Sequence, residues 1–238
     1  MKQSFLIIIT LSFLSNPFFL IGQIANKESY LESIRIELQK KWPQNQTINL
    51  VFHGHSVPAG YFKTPTVNTL AAYPYQLLKR IKTDYPYAVI NVINTSIGGE
   101  NSKNGSLRFE SEVLKHDPDV LFIDYALNDR DLGIENAERY WREMIQKAID
   151  KDIKIILLTP SADQREDILN SESKLNKHAN MIRELAKEYQ IGLIDSYDIF
   201  KSQVKKGLQI SKLMSQVNHP NEQGHLLITS ALYDYFKE

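Results

Sequence analysis

Five short apolar runs rich in β-branched residues recur along the chain, "INLVFHG" (48–54), "AVINVINT" (88–95), "DVLFIDYAL" (119–127), "IKIILLTP" (153–160) and "IGLIDS" (191–196). Between and around them lie longer stretches of helical period, such as "TLAAYPYQLLKRIKTDY" (69–85), "NAERYWREMIQKAIDK" (136–151) and "KLNKHANMIRELAKEYQ" (174–190). Continuously apolar strands must be covered on both faces, and intervening helices are the elements that can cover them. The pattern predicts a three-layer αβα sandwich on a five-stranded parallel sheet, the flavodoxin-like arrangement. A helix over "ESYLESIRIELQKKW" (28–42) precedes the first strand, and "EQGHLLITSALYDYF" (222–236) closes the chain as a final helix.

At 238 residues with a 42% hydrophobic share, one domain can bury a sufficient core. No internal repeat, low-complexity tract or Gly/Ser linker divides it. The first residues, "MKQSFLIIITLSFLSNPFFLIGQ", place Lys2 before an apolar run, the build of a secretory signal peptide. Asn16 and Pro17 interrupt that run short of the roughly 20 clean apolar residues a membrane span needs. A leader over 1–22, cleaved within 22–25, and a single domain over 26–238 are expected, with the mature chain secreted or periplasmic and free of a stable membrane span. There is no cysteine, so no lipid-accepting residue follows the leader and the domain must stand without disulfides. Basic and acidic residues balance at 28 each, with no long block of one sign, which speaks against nucleic acid as a partner.

In an open parallel sheet the ligand site lies beyond the carboxyl ends of the strands. Polar and small residues collect there in this sequence: Gly54, His55 and Ser56, then Ser96 to Glu100, Asn128 and Asp129, Thr159 and Pro160, and Asp195. Acyl transfer needs a nucleophile, a base within reach and donors aimed at an oxyanion. Ser56 supplies a hydroxyl on a turn, Gly98 and Gly99 allow a backbone N–H to approach closely, and Asn128 offers an amide. His219, held by Pro220 before the last helix, supplies a base from the far end of the chain.

These blocks resemble, in order, those of the SGNH or GDSL-type serine hydrolases. "GHSVPAG" is similar to the family's serine block, with His55 where aspartate is usual. "NTSIGGENS" looks like its glycine block, "ALND" like its "GxND", and "QVNHP" like its "DxxHP". The α/β-hydrolase elbow is a poorer template, because Pro58 stands where it expects glycine. The resemblance implies catalytic Ser56 and His219, an oxyanion hole from the Ser56 N–H, Gly99 and Asn128, no metal or organic cofactor, and a small-molecule or polysaccharide ester as substrate. Some members are acetylesterases of polysaccharides, which makes an acetyl ester on carbohydrate the leading expectation.

Gln216 stands where the family places its acid. Three readings follow: a Ser-His dyad oriented by Gln216 or by a main-chain carbonyl, an acid from elsewhere such as Asp195 or Glu222, or a site without turnover. The last would make the protein a glycan-binding module on the same fold. A metal-dependent hydrolase built on His53 and His55 is a further alternative, which the absence of a tightly spaced histidine and carboxylate cluster disfavours.

Overall fold

The computed structural model of the protein describes residues 22–237, so the expected leader lies outside the described residues apart from Gly22. The five runs form strands β1 (Thr47–Gly54), β2 (Val89–Asn94), β3 (Val120–Asp124), β4 (Lys154–Leu158) and β5 (Gly192–Ile194), all parallel, in the order β2-β1-β3-β4-β5. Helices α1 (Glu32–Gln39), α2 (Ser56–Ala59), α3 (Tyr73–Asp84), α4 (Ser102–Leu107), α5 (Ile134–Ile149), α6 (Lys174–Glu188), α7 (Ser196–Lys205) and α8 (Glu222–Tyr233) accompany them.

Successive strand side chains point to opposite faces, and this alternation builds two cores. Leu50, Phe52, Phe122, Ile156 and Leu158 meet Leu77 and Ile81 of α3 and Ile228 and Leu232 of α8 on one face. Val51, Leu121, Ile123, Ile155 and Leu157 meet Trp141 and Met144 of α5 and Ile182 and Leu185 of α6 on the other. Both faces of the inner strands β3 and β4 are therefore dry, which is why they read as nearly unbroken apolar runs, whereas the edge strand β2 is partly exposed and admits Asn91 and Asn94.

Two features depart from the sequence reading. The first helical stretch is broken: Lys27–Tyr30 is capped by the Asn26 side chain, and Leu31 leaves helical geometry at φ −106° and ψ 27° with its side chain buried before α1 begins. A short antiparallel hairpin, β6 (Met214–Gln216) with β7 (His219–Pro220), precedes α8. It is too short to carry a strand-like sequence pattern, yet it holds His219.

The strand order reverses about β1, with β2 on one side and β3 on the other, so the crevice at their carboxyl ends is the place for a ligand.

Candidate active site

β1 ends at Gly54, which packs closely against Asp124 of β3. A Cβ at Gly54 would lie 2.4 Å from the Asp124 carbonyl oxygen, so glycine is required there. The next residue, His55, caps α2: its Nδ1 accepts from the Val57 N–H at 3.1 Å. That acceptance places the ring proton on Nε2, 3.3 Å from Asp124 Oδ1. Asp124 is buried, and its Oδ2 accepts from the Tyr73 hydroxyl at 3.0 Å. Gly60, at φ 93°, ends the turn. Ser56 is thereby fixed at the first position of α2.

His219 Nε2 lies 3.0 Å from Ser56 Oγ, joining residues 163 apart in sequence. Its Nδ1 is 2.8 Å from the Phe62 carbonyl oxygen. A carbonyl can only accept, so Nδ1 carries the proton and the Nε2 lone pair faces the serine. Burial pushes the His219 imidazole below its usual range; the Phe62 carbonyl opposes this and the nearby His55 ring adds to it.

Gln216 does not orient the ring, contrary to one of the two orienters expected from the sequence. Its side-chain oxygen accepts instead from the Thr64 N–H at 2.9 Å. Gln216 therefore braces the loop that delivers the Phe62 carbonyl. The main-chain carbonyl occupies the place of the missing acid. Asp195 is committed elsewhere, to Arg183 at 2.7 Å and to the cap of α7, and Glu222 is exposed in the first turn of α8.

On the other side of the crevice, Gly99 takes φ 79°. Its ideal Cβ would meet nothing within 4 Å, so the glycine answers a backbone demand and not a steric one. Asn128 donates one amide hydrogen to the Glu100 carbonyl at 2.9 Å. Asp129 turns inward and accepts from the Ser102 N–H at 2.8 Å and from Trp141 Nε1 at 2.7 Å, which fixes the turn carrying Asn128. Gly99, Asn128 and Asn218, the residue before His219, share one cleft of about 990 Å³ with Asn101, Arg130, Arg165 and Asn170.

The loop after β4 ties both sides of the crevice together. Arg130 reaches Asp163 and Glu166, each at 2.7 Å, while the Gln164 N–H donates to the Val217 carbonyl at 2.8 Å. The sequence marks this loop only by Thr159 and Pro160 at its start; the pairings of Asp163, Gln164 and Glu166 are not legible there, because their partners are remote.

The histidines weighed as metal ligands are engaged otherwise. His53 Nδ1 is 2.9 Å from Thr95 Oγ1, and its Nε2 is 3.2 Å from the Gly105 carbonyl. Burial and the Arg108 charge push His53 down to about 3. His55 caps α2 as described. Among the described residues no group of three or more His, Cys, Asp or Glu side chains is placed to hold a metal. His225 is fully buried, accepting from the Tyr73 N–H at 3.2 Å and stacked against Phe62 at 5.2 Å between ring centroids.

The group of Phe62 that reaches His219 is its carbonyl, which no residue pattern reveals. Tyr61 packs between Gly98, whose Cβ would meet its ring at 3.0 Å, and the His219 ring at 6.1 Å between centroids.

Residues 52–227 match the GDSL-like lipase/acylhydrolase family, and the chain belongs to that family of carboxylic ester hydrolases. It is similar to an acetylxylan esterase of Geobacillus stearothermophilus, 23% identical over 172 residues that cover 67% of this chain and 77% of that one. The solved structure of an acetylxylan esterase from that organism superposes with a TM-score of 0.69 at 21% identity, covering 80% of this chain and 94% of the other. A two-domain esterase active on acetylated mannans, co-crystallised with mannopentaose, superposes at 0.72 with 19% identity. This chain covers 54% of that protein, and 90% of this chain takes part. The neighbours share the SGNH-type α/β fold. Among the described residues no helix is long and apolar enough to cross a membrane.

Proposed function

We propose that the protein is an exported esterase that removes acetyl groups from carbohydrate through a Ser56–His219 dyad. The observation that carries this reading is the 3.0 Å contact of His219 Nε2 with Ser56 Oγ, backed at Nδ1 by the Phe62 carbonyl. Support for the substrate comes from the names of the acetylxylan and acetylmannan esterases it resembles. The cleft adds to it. Lying beside His219 through Asn218 and not lined by Ser56 or His219 themselves, it presents Asn101, Asn128, Asn170 and Asn218 among both acidic and basic side chains. Amides and guanidinium groups suit the hydroxyls of a sugar chain better than a long acyl tail. Export rests on the leader sequence alone.

The chemistry follows from the residues. Ser56 Oγ attacks the acetyl carbonyl carbon as His219 Nε2 takes the hydroxyl proton. The oxyanion falls to the Ser56 N–H, the Gly99 N–H and the second amide hydrogen of Asn128. His219 then gives its proton to the departing sugar oxygen and leaves an acetyl-serine. Water repeats the sequence, and acetate departs. The imidazolium formed in each step is met by a carbonyl dipole in place of a carboxylate charge. No metal or organic cofactor enters these steps.

The proposal is tested by acetate release from acetylated xylo- and manno-oligosaccharides, compared with hydrolysis of a long-chain acyl ester of a simple alcohol. Higher kcat/KM on the acetylated sugars is expected, and a preference for the long-chain ester would overturn the substrate class.

The base also sets a pH dependence. Neutral His219 is the reactive form, and its pKa lies below the usual imidazole value of about 6.5 because the ring is buried. The acid limb of kcat/KM should therefore have its midpoint below about 6.5, with rate lost as pH falls through it. A midpoint near or above about 7, as a neighbouring carboxylate would produce, would show that an acid reaches His219 in solution.

A further inference from the structure

Glu100 follows Gly99 directly, and the chemistry above assigns it nothing. Its carboxylate is buried. Arg108 grips both oxygens, with Nε 2.8 Å from Oε1 and Nη2 on Oε2, and the Tyr125 hydroxyl donates to Oε2 at 2.8 Å. Arg108 Nη2 also donates to the Thr95 carbonyl at 2.7 Å, and the Tyr125 hydroxyl lies 3.1 Å from His53 Nε2. One carboxylate thus gathers His53 on β1, Thr95 just beyond β2 and Tyr125 just beyond β3. Gly105 makes room for this cluster, since a Cβ there would lie 2.4 Å from the Tyr125 hydroxyl.

The backbone of Glu100 faces the oxyanion side. Its N–H donates to the Ile97 carbonyl at 3.2 Å, closing the turn in which Gly99 holds its positive φ. Its carbonyl accepts from Asn128 Nδ2 at 2.9 Å. An amide nitrogen carries two hydrogens in one plane, so fixing the first fixes the direction of the second.

A buried ion pair is a poor device for stability, because desolvation offsets most of its attraction, and apolar residues of similar volume often serve as well. What such a pair does provide is position. We propose that Glu100 is a positioning residue of the oxyanion hole: Arg108 and Tyr125 clamp its side chain so that its carbonyl aims the Asn128 amide at the developing oxyanion. The inference rests on the esterase reading of Asn128.

The test is a double-mutant cycle on hydrolysis of 4-nitrophenyl acetate, with thermal unfolding followed for each variant. Asn128→Ala should lower kcat by roughly 100-fold, the usual loss for one oxyanion donor. Glu100→Gln should lower kcat by roughly 10-fold with KM changed by less than about 2-fold, because the amide is misdirected in the transition state while ground-state binding is kept. In the Asn128→Ala background, Glu100→Gln should lower kcat by less than about 3-fold further.

Tyr125→Phe keeps the ion pair and removes one clamp. It should show a smaller loss with the same dependence on Asn128, and it carries the cycle if Glu100→Gln fails to fold. Equal fold-losses in both backgrounds would overturn the inference and leave the esterase reading standing. An Asn128→Ala variant as active as the wild type would overturn the role of Asn128 and this inference with it.

Discussion

Ser56→Ala is expected to lower kcat on an acetate ester by about 10⁴-fold or more, with KM and thermal unfolding close to the wild-type values. The size follows from what the variant lacks. Without Oγ there is no acetyl-enzyme, and water would have to attack the ester in a single step, aided by the oxyanion donors alone. Stability should hold because the serine hydroxyl has His219 as its one hydrogen-bond partner among the described residues, and alanine fills the same first position of α2. The measurement also separates the competing readings. A hydrolase built on His53 and His55 would keep its rate in Ser56→Ala and lose it to a chelator. A glycan-binding module would show no turnover in the wild type while still retaining acetylated oligosaccharide.

His219→Ala should be nearly as severe, lowering kcat by roughly 10³- to 10⁵-fold, and joining it to Ser56→Ala should add little beyond the worse single change. On the proposed mechanism the two side chains act as one unit, since the hydroxyl is a weak nucleophile until Nε2 takes its proton. The ring of His219 faces the Phe62 carbonyl and not a carboxylate. A neutral dipole still sets the tautomer but stabilises the imidazolium less than a charge would. The dyad is therefore expected to turn over more slowly than a full triad while remaining far above the serine-free rate. Fully additive losses in the double variant would mean that Ser56 and His219 do not act on the same bond.

How far the sequence alone reaches can be seen residue by residue. The inner strands were legible because both their faces are buried and they had to be largely apolar, while the edge strand β2, partly exposed, was legible from its β-branched residues. Helices α3, α5, α6 and α8 were legible from their helical period. Ser56, Gly99, Asn128 and His219 were legible as candidates because each lies at a strand end or just before the last helix, in the order the family keeps. The hairpin carrying His219 was not, since β7 spans two residues and its partner three. From its position in "QVNHP", Gln216 was one of two orienters the sequence offered for the ring, a main-chain carbonyl being the other. The structure places its side chain on Thr64 N–H, across 152 residues of sequence.

The sequence by itself determined the layer architecture and the residue types that collect at the carboxyl ends of the strands, because these depend on local period and on where apolar runs stop. Only the tertiary structure decided which groups meet His219 Nδ1 and Asn128 Nδ2, the carbonyls of Phe62 and Glu100, and that Arg108 and Tyr125 hold the Glu100 side chain. Every residue carries a backbone carbonyl, so no side-chain pattern distinguishes the two that matter. Their meaning comes from being brought within hydrogen-bond distance of His219 and Asn128 by folding.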